Sequence, residues 1–129
     1  MNKKIVLTGA VLIVTAIVLG AFGAHSLEKV LSIEKLDSFE TGVRYQMYHG
    51  LAFLILGFNY EKLGGITFWF FRLLVTGVLL FSGSIYFLSL QDVMGISLSF
   101  LGPITPIGGS LMIIAWIILI ILLLKSKIK

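Results

Sequence analysis

The sequence predicts an all-α integral membrane protein, a four-helix transmembrane bundle. The chain of 129 residues is 58% hydrophobic, which is well above the share in ordinary soluble domains. Three stretches, 5–24, 73–91 and 93–124, carry no charged residue. Each approaches or exceeds the roughly 20 apolar residues that a helix needs to cross the hydrocarbon core of a bilayer. A fourth, more polar stretch lies between the first two and completes the bundle.

The first span is predicted over 5–24. Lys3 and Lys4 before it and the small residues Ala21 and Gly23 near its end are typical of a secretory signal. However, the apolar stretch is longer than the roughly 7–15 residues of a signal core. We therefore expect a transmembrane helix that is retained.

The second span, over about 43–60, is the most polar of the four, since it includes Gln46, His49 and Asn59. A helix with these side chains is a poor fit for lipid all round, so we expect it inside the bundle. Asp37 and Glu40 have the spacing of a capping box, which would start this helix at 38.

A short amphipathic helix at the membrane interface is predicted over 26–36, between spans one and two. Leu27, Val30 and Leu31 share one face there, and the charged residues lie elsewhere around it.

The third span is predicted over 66–90. Arg72 lies inside it, close enough to one end for its aliphatic stem to snorkel beside the aromatic residues at 68–71. A structural role for Arg72, as an interfacial anchor, is favoured over a role as a buried functional arginine.

The last charge-free stretch is too long for one crossing, because 32 residues would form a helix of about 48 Å. A Gly/Pro-broken segment at 102–109 is the predicted interruption. Thr105 suits an N-cap and Pro106 the first helical position, which gives a fourth span over 106–124. The preceding stretch, 93–101, must lie flat at the surface, dip into the membrane and return, or pack against the bundle.

Lysine and arginine predict the orientation, since these residues accumulate on the cytoplasmic side of membrane proteins. With four spans, both chain termini share one side with the loop at 61–65. That side holds Lys3, Lys4, Lys62, Arg72, Lys125, Lys127 and Lys129, and the other holds Lys29, Lys35 and Arg44. Both termini are therefore expected in the cytoplasm.

Four stretches of this sequence resemble, in order, the signature stretches of domain-of-unknown-function family 423. They are Gly20-Ala21-Phe22-Gly23-Ala24-His25, Phe39-Glu40-Thr41-Gly42-Val43-Arg44-Tyr45-Gln46-Met47-Tyr48-His49, Phe81-Ser82-Gly83-Ser84-Ile85-Tyr86 and Gly102-Pro103-Ile104-Thr105-Pro106-Ile107-Gly108-Gly109. The family comprises small bacterial inner-membrane proteins, similar to the eukaryotic transmembrane protein 256 group. The resemblance implies a compact multi-span protein of the bacterial plasma membrane, and it brings no agreed biochemical activity.

Composition excludes several kinds of chemistry. There is no cysteine, so disulfides and thiolate catalysis or metal ligation are excluded. The net charge of +4 comes from residues at span ends, so no nucleic-acid partner is expected. No serine occupies a nucleophile elbow, and two histidines without a third ligand do not predict zinc. We expect a protein that is not an enzyme and that has no cofactor or metal.

The unusual polar residues converge on the outer end of the predicted bundle. Arg44 and the free amides at the start of span four would favour an anionic head group, and Glu40 and Arg44 have the spacing of a helical ion pair. The candidate ligand-binding residues are His25, Glu40, Arg44, Tyr45, Gln46, His49, Thr105, Gly108 and Gly109.

The leading hypothesis is that this cluster binds a membrane lipid, another amphiphile or a partner protein. Structural hydrogen bonding across helices is the alternative for its residues. A small transporter or channel built on the broken segment at 102–109 is a second function. A haem- or quinone-binding redox component, using His25 and His49, is a third.

A homo-oligomer is also expected, because small residues on spans one and three permit close helix approach. They are Gly20, Ala24, Thr76, Gly77, Gly83 and Ser84.

Overall fold

The structure is a computed structural model, and it describes residues 1–63 and 68–125. Four helices, α1 (Lys3–His25), α2 (Ile33–Phe58), α3 (Phe68–Met94) and α4 (Ile104–Lys125), are joined by 3-10 turns at Leu27–Lys29, Tyr60–Leu63 and Ser99–Leu101. The all-α class is confirmed. The first two positions of the predicted third span, 66 and 67, and the terminal residues Lys127 and Lys129 lie outside the described residues.

The four helices run alternately up and down. Gly23 faces Phe39 and Gly57 faces Val6, which makes α1 and α2 antiparallel. The second helix packs in turn against α3, and α4 lies along α3. The end with residues 26–32 and 95–103 is called the loop end, and the end with both chain termini is called the termini end.

Helix α2 begins earlier than the sequence predicts and takes the place of the interfacial helix. The Ser32 hydroxyl accepts a hydrogen bond from the Lys35 amide at 3.3 Å and caps the helix. Glu34 then favours the helix start electrostatically. Asp37 consequently lies one turn inside α2 and is not the N-cap. Of the predicted helix over 26–36, only the 3-10 turn at Leu27–Lys29 stands apart from α2.

The segment between α3 and α4 follows the surface of the loop end. Helix α3 ends at Met94, and it is followed by Gly95, whose φ of 67° suits glycine. The Leu98 amide donates to the Gln91 side chain at 2.9 Å, and Phe100 is exposed. Helix α4 then begins at Ile104, two residues before the predicted start.

Pro106 is tolerated inside the first turn of α4. The first four amides of a helix have no intrahelical partner, so a residue without an N–H group loses nothing there. The sequence pattern at 103–106 therefore fits more than one start, and the structure uses the earlier one.

Glycines bring the paired helices into close contact. A Cβ placed on Gly9 of α1 would lie 2.8 Å from the Gly50 carbonyl oxygen of α2. A Cβ on Gly108 of α4 would lie 2.8 Å from the Gly77 carbonyl oxygen of α3. Both pairs of backbones are therefore closer than any side chain would permit.

The apolar core occupies the termini half of the bundle. Its buried residues are Ile5, Leu12, Phe53, Phe70, Phe71, Leu74, Val78, Met112, Ala115 and Leu119. Polar groups are buried instead toward the loop end, where Ser82, Ser84 and Ser89 lie on α3. This division places the candidate site in the loop half.

Three helical segments of the described chain are long and apolar enough to cross a membrane. They are Lys3–Lys29, Phe68–Met94 and Ser99–Lys125. Helix α2 has 26 residues but a much more polar composition.

Candidate functional site

Gln46 joins three helices through its side-chain amide. The amide nitrogen donates to the Leu12 carbonyl at 3.0 Å and to the Thr15 hydroxyl at 2.6 Å, both on α1. The amide oxygen accepts from the Tyr86 hydroxyl of α3 at 2.6 Å. Both N–H groups and one oxygen lone pair are thus used inside the protein. Gln46, predicted as a ligand contact, holds the helices together.

His49 has a partner at each ring nitrogen. The indole N–H of Trp116 can only donate, and it lies 3.1 Å from His49 Nε2, which therefore accepts. Nδ1 lies 2.7 Å from the Tyr45 carbonyl oxygen and donates to it. These contacts define a neutral imidazole with its proton on Nδ1. No nitrogen of His49 is left to ligate haem iron.

The two histidines do not come together. His25 is exposed at the last residue of α1. The neighbouring Gly23 lies beside Phe39, which precedes His49 by ten residues, or about 15 Å of helix. The pair that the redox alternative requires is not formed. Within the described residues, no group of three or more His, Asp or Glu side chains could hold a metal ion.

Arg44 pairs with Asp37 and not with Glu40. Its guanidinium donates to the Thr41 hydroxyl at 3.0 Å and lies 3.6 Å from a carboxylate oxygen of Asp37. Asp37, Thr41 and Arg44 follow one face of α2 at helical spacing. Glu40 is exposed one turn before Arg44, but the Arg44 guanidinium turns toward Asp37 and Thr41. The predicted Glu40–Arg44 ion pair is therefore wrong.

The start of α4 does not form an anion-binding turn at the glycines. Because the helix begins at Ile104, the amides of Gly108 and Gly109 fall beyond the four unpaired positions. Gly108 is buried against α3, and the Thr105 hydroxyl lies 2.5 Å from that of Ser84. Residues 104–109 are continuous helix, so of the break predicted over 102–109 only Gly102 and Pro103 lie outside a helix, immediately before α4.

A polar groove of about 380 Å³ opens at the loop end between α2, α3 and α4. It is lined by Lys35, Asp37, Ser38, Thr41, Ile85, Leu88, Ser89 and Thr105. Two ion pairs border it, Lys35 with Asp92 and Arg44 with Asp37. The polar groove therefore offers charges of both signs above an aliphatic floor.

Ser89 is a residue of the polar groove that the sequence analysis missed. The residue is 3% exposed and lines the polar groove, and its hydroxyl has no hydrogen-bond partner among the described residues. No buried side-chain oxygen of the described residues lacks a partner, so the Ser89 hydroxyl reaches the surface of the groove, where it is free to bond another group. A serine within an apolar helix is a weak signal in sequence, because most such hydroxyls bond their own backbone.

An aromatic groove of about 340 Å³ lies deeper between the same three helices. It is lined by Tyr45, His49, Phe81, Gly109, Met112, Ile113 and Trp116. The Tyr45 and Phe81 rings lie 5.1 Å apart at its floor. Trp116 also went unpredicted, although an indole N–H inside an apolar span needs a partner and so signals a contact.

The two grooves are neighbours between the same three helices, and we call them together the α2–α3–α4 furrow. Thr41 and Tyr45 are one turn apart on α2, and Thr105 and Gly109 are one turn apart on α4. Residues one turn apart share a helix face, so the polar groove and the aromatic groove lie next to each other along these helices. Of the predicted site residues, Tyr45, His49, Thr105 and Gly109 line the furrow, and Arg44 borders it.

Comparisons with known proteins agree with the sequence resemblance. Residues 19–109 match the family described as "Protein of unknown function (DUF423)". A UPF0382 membrane protein of Staphylococcus epidermidis is 43% identical over 123 residues, covering 95% of this chain and 97% of the relative. The UPF0382 membrane protein YwdK of Bacillus subtilis is 40% identical over 128 residues, covering 95% and 98%. No solved structure matches this chain.

Proposed function

The chain belongs to the DUF423 family, whose relatives are named UPF0382 membrane proteins, and we propose that it is a non-enzymatic membrane protein that binds a lipid or similar amphiphile in the α2–α3–α4 furrow. The observation that carries the proposal is that the two grooves lie one helical turn apart between the same three helices. Charged groups border one end and aromatic rings line the other, which is the polarity of a molecule with a head and a tail.

The polar groove suits the head of such a ligand. The Lys35 ammonium and the Arg44 guanidinium can donate to a phosphate or carboxylate, and the Ser89 hydroxyl can bond the same group from below. Because Asp37 and Asp92 already neutralise these cations, binding exchanges one anionic partner for another. This exchange favours a head group that also carries a positive charge for the released carboxylate.

The aromatic groove suits the tail. The ring nitrogens of His49 and Trp116 are bonded to each other, so an apolar chain buries neither of them unpaired. Gly109 has no side chain and leaves the width of the groove between α2 and α4 open. An acyl or prenyl chain matches this space in shape and polarity.

In the proposed membrane arrangement all four helices cross the bilayer of a bacterial plasma membrane, with both termini in the cytoplasm. Lys3, Lys4, Lys62, Arg72 and Lys125 gather at the termini end, as expected for a cytoplasmic surface. The polar groove then opens at the outer leaflet. Helix α2 lies between α1 and α3, where neighbouring helices shield many of its polar groups.

A leucine in place of Gly109 tests the furrow. A Cβ at this position would lie 3.6 Å from the Phe81 ring, an ordinary contact, so the rest of the leucine would extend into the aromatic groove. We expect wild-type protein, purified in mild detergent, to carry a defined lipid or amphiphile in native mass spectrometry. The Gly109→Leu protein should lose it.

Gly83→Leu is the matched control, because a Cβ on Gly83 meets nothing within 4 Å. Both substitutions replace a helical glycine by a better helix former, and only one fills the furrow. Gly83→Leu should keep the bound molecule. Equal occupancy in the two variants would refute the proposed site.

A further inference from the structure

A second groove opens at the termini end, on the far side of the bundle from the furrow's polar end. It is lined by Lys4, Ile5, Thr8, Phe53, Phe68, Phe71, Arg72 and Val75 and encloses about 90 Å³. Side chains of α1 and α3 form its walls, and Phe53 of α2 lies between them. We call it the basic groove.

Two cations border the basic groove, and neither forms an ion pair with any of the described residues. The Arg72 guanidinium lies over the Phe68 ring at 4.7 Å and over the Trp69 ring at 5.3 Å from their centroids. Stacking uses the flat face of a guanidinium and leaves its N–H edge free to bind oxygen atoms. Lys4 supplies the second charge from α1.

The side-chain carboxylate that the described residues place at this end is already engaged. Of the six acidic residues in the sequence, five belong to the loop end, and the sixth is Glu61. Its carboxylate accepts a hydrogen bond from the amino terminus at 2.7 Å. This hydrogen bond and the charge of the amino terminus lower the pKa of Glu61. Near neutral pH the carboxylate is therefore ionised and already paired with the amino terminus.

The stability of helix α1 does not require a positively charged side chain at position 4. Lys4 lies in the first turn of α1, where the unpaired amides carry partial positive charge and disfavour a cation. The Asn2 side chain caps this end through the Lys4 and Ile5 amides, and that cap needs only the backbone of residue 4. A negative partner from outside the chain would relieve the unfavourable charge.

We propose that the basic groove seats the phosphate of an anionic phospholipid, held by the Lys4 ammonium and the Arg72 guanidinium. One acyl chain follows the apolar wall past Phe71 and Val75. Basic pockets between helices at the cytoplasmic side of membranes bind such head groups. This site is separate from the furrow, so the proposal can be tested independently of the proposed function.

The test compares two phospholipids with identical acyl chains, dioleoyl phosphatidylglycerol and dioleoyl phosphatidylethanolamine, titrated onto detergent-purified protein in native mass spectrometry. Wild-type protein should prefer the anionic lipid. Each cation near a membrane surface contributes about fivefold to such binding, so Lys4→Gln should reduce the preference about fivefold. Lys4→Gln with Arg72→Gln should abolish it.

Lys62→Gln with Lys125→Gln is the matched control. Both lysines are exposed at the same end and lie outside the groove, so this variant has the same net charge as the double variant. It should keep the preference. An equal loss in the control would show a diffuse electrostatic effect and overturn the site, as would a wild-type protein that binds both lipids alike.

The single variant Lys4→Gln is expected to fold, because the Lys4 side chain is exposed in the first turn of α1. It keeps the test decisive even if the double variant misfolds. Unchanged lipid preference in folded Lys4→Gln protein would contradict the proposal. The Gly109→Leu protein should retain the preference in full, since the furrow and the basic groove share no lining residue.

Discussion

At the scale of single residues, Gln46 shows how one amide can fix the arrangement of three helices. Its partners stand 31 to 40 positions away in the chain. The sequence indicates that a glutamine within an apolar helix needs partners, because an unpaired amide in a water-free interior is costly. It does not indicate which partners, since they depend on the register of α1 and α3 against α2.

Gln46→Leu should destabilise the protein by about 2 kcal/mol, because it leaves the Tyr86 hydroxyl buried without its acceptor. Tyr86→Phe alone should cost about 1 kcal/mol, since the Gln46 amide keeps its contacts to α1. In the Gln46→Leu background, Tyr86→Phe should cost almost nothing. Denaturant unfolding in detergent measures all three variants, and additive losses would contradict direct coupling.

At the scale of elements, close backbone contacts set the spacing of each helix pair. The small residues Gly20 and Ala24 predicted close approach on α1. Gly20 lies against Val43, and Ala24 is exposed. The closest approach of the α1 and α2 backbones includes Gly9 and Gly50 instead. Spacing identifies a helix face that can pack closely, but the position of the crossing depends on both partners.

Gly108→Ala and Gly109→Ala form a matched pair at adjacent positions. A Cβ on Gly108 would press on the α3 backbone at Gly77, whereas a Cβ on Gly109 makes an ordinary contact with the Phe81 ring. Gly108→Ala should cost about 1–3 kcal/mol through overpacking. Gly109→Ala should be neutral or stabilise by about 0.5–1 kcal/mol, because alanine favours a helix.

Thermal unfolding of both alanine variants in the same detergent checks this pair. Equal melting temperatures would show that α3 and α4 are not in contact at Gly108.

At the scale of the whole molecule, the sequence predicts the fold class better than it predicts the residues of the candidate binding site. The length of a charge-free stretch can be read from the local sequence alone. The stretches 5–24, 73–91 and 93–124 were therefore enough to predict long apolar helices. The furrow depends on three helices meeting in one register, which no local pattern specifies. The sequence analysis accordingly found Tyr45, His49 and Thr105 but missed Ser89 and Trp116.

Oligomeric state also belongs to this scale, and the expected homo-oligomer stays a prediction. Two of the small residues that motivate it are used within the bundle, Gly77 against Met112 and Ser84 against Thr105.

The number of crossings distinguishes the proposed four-span arrangement from one in which α2 lies on the membrane surface. If α2 crosses the bilayer, the turns before and after it lie on opposite sides. The chain has no cysteine, so single cysteines report position without background. Glu28→Cys and Lys62→Cys place one exposed thiol in each turn.

In intact cells or sealed, right-side-out vesicles, a membrane-impermeant maleimide should label Glu28→Cys directly. It should label Lys62→Cys only after the membrane is permeabilised, because the basic termini end is expected in the cytoplasm. Labelling of both thiols from the same side would place α2 on the surface, since α1 and α3 would then be the only crossings before residue 95. The polar groove, with one wall on α2, would in that case face water, and the furrow could not hold an acyl chain within the bilayer.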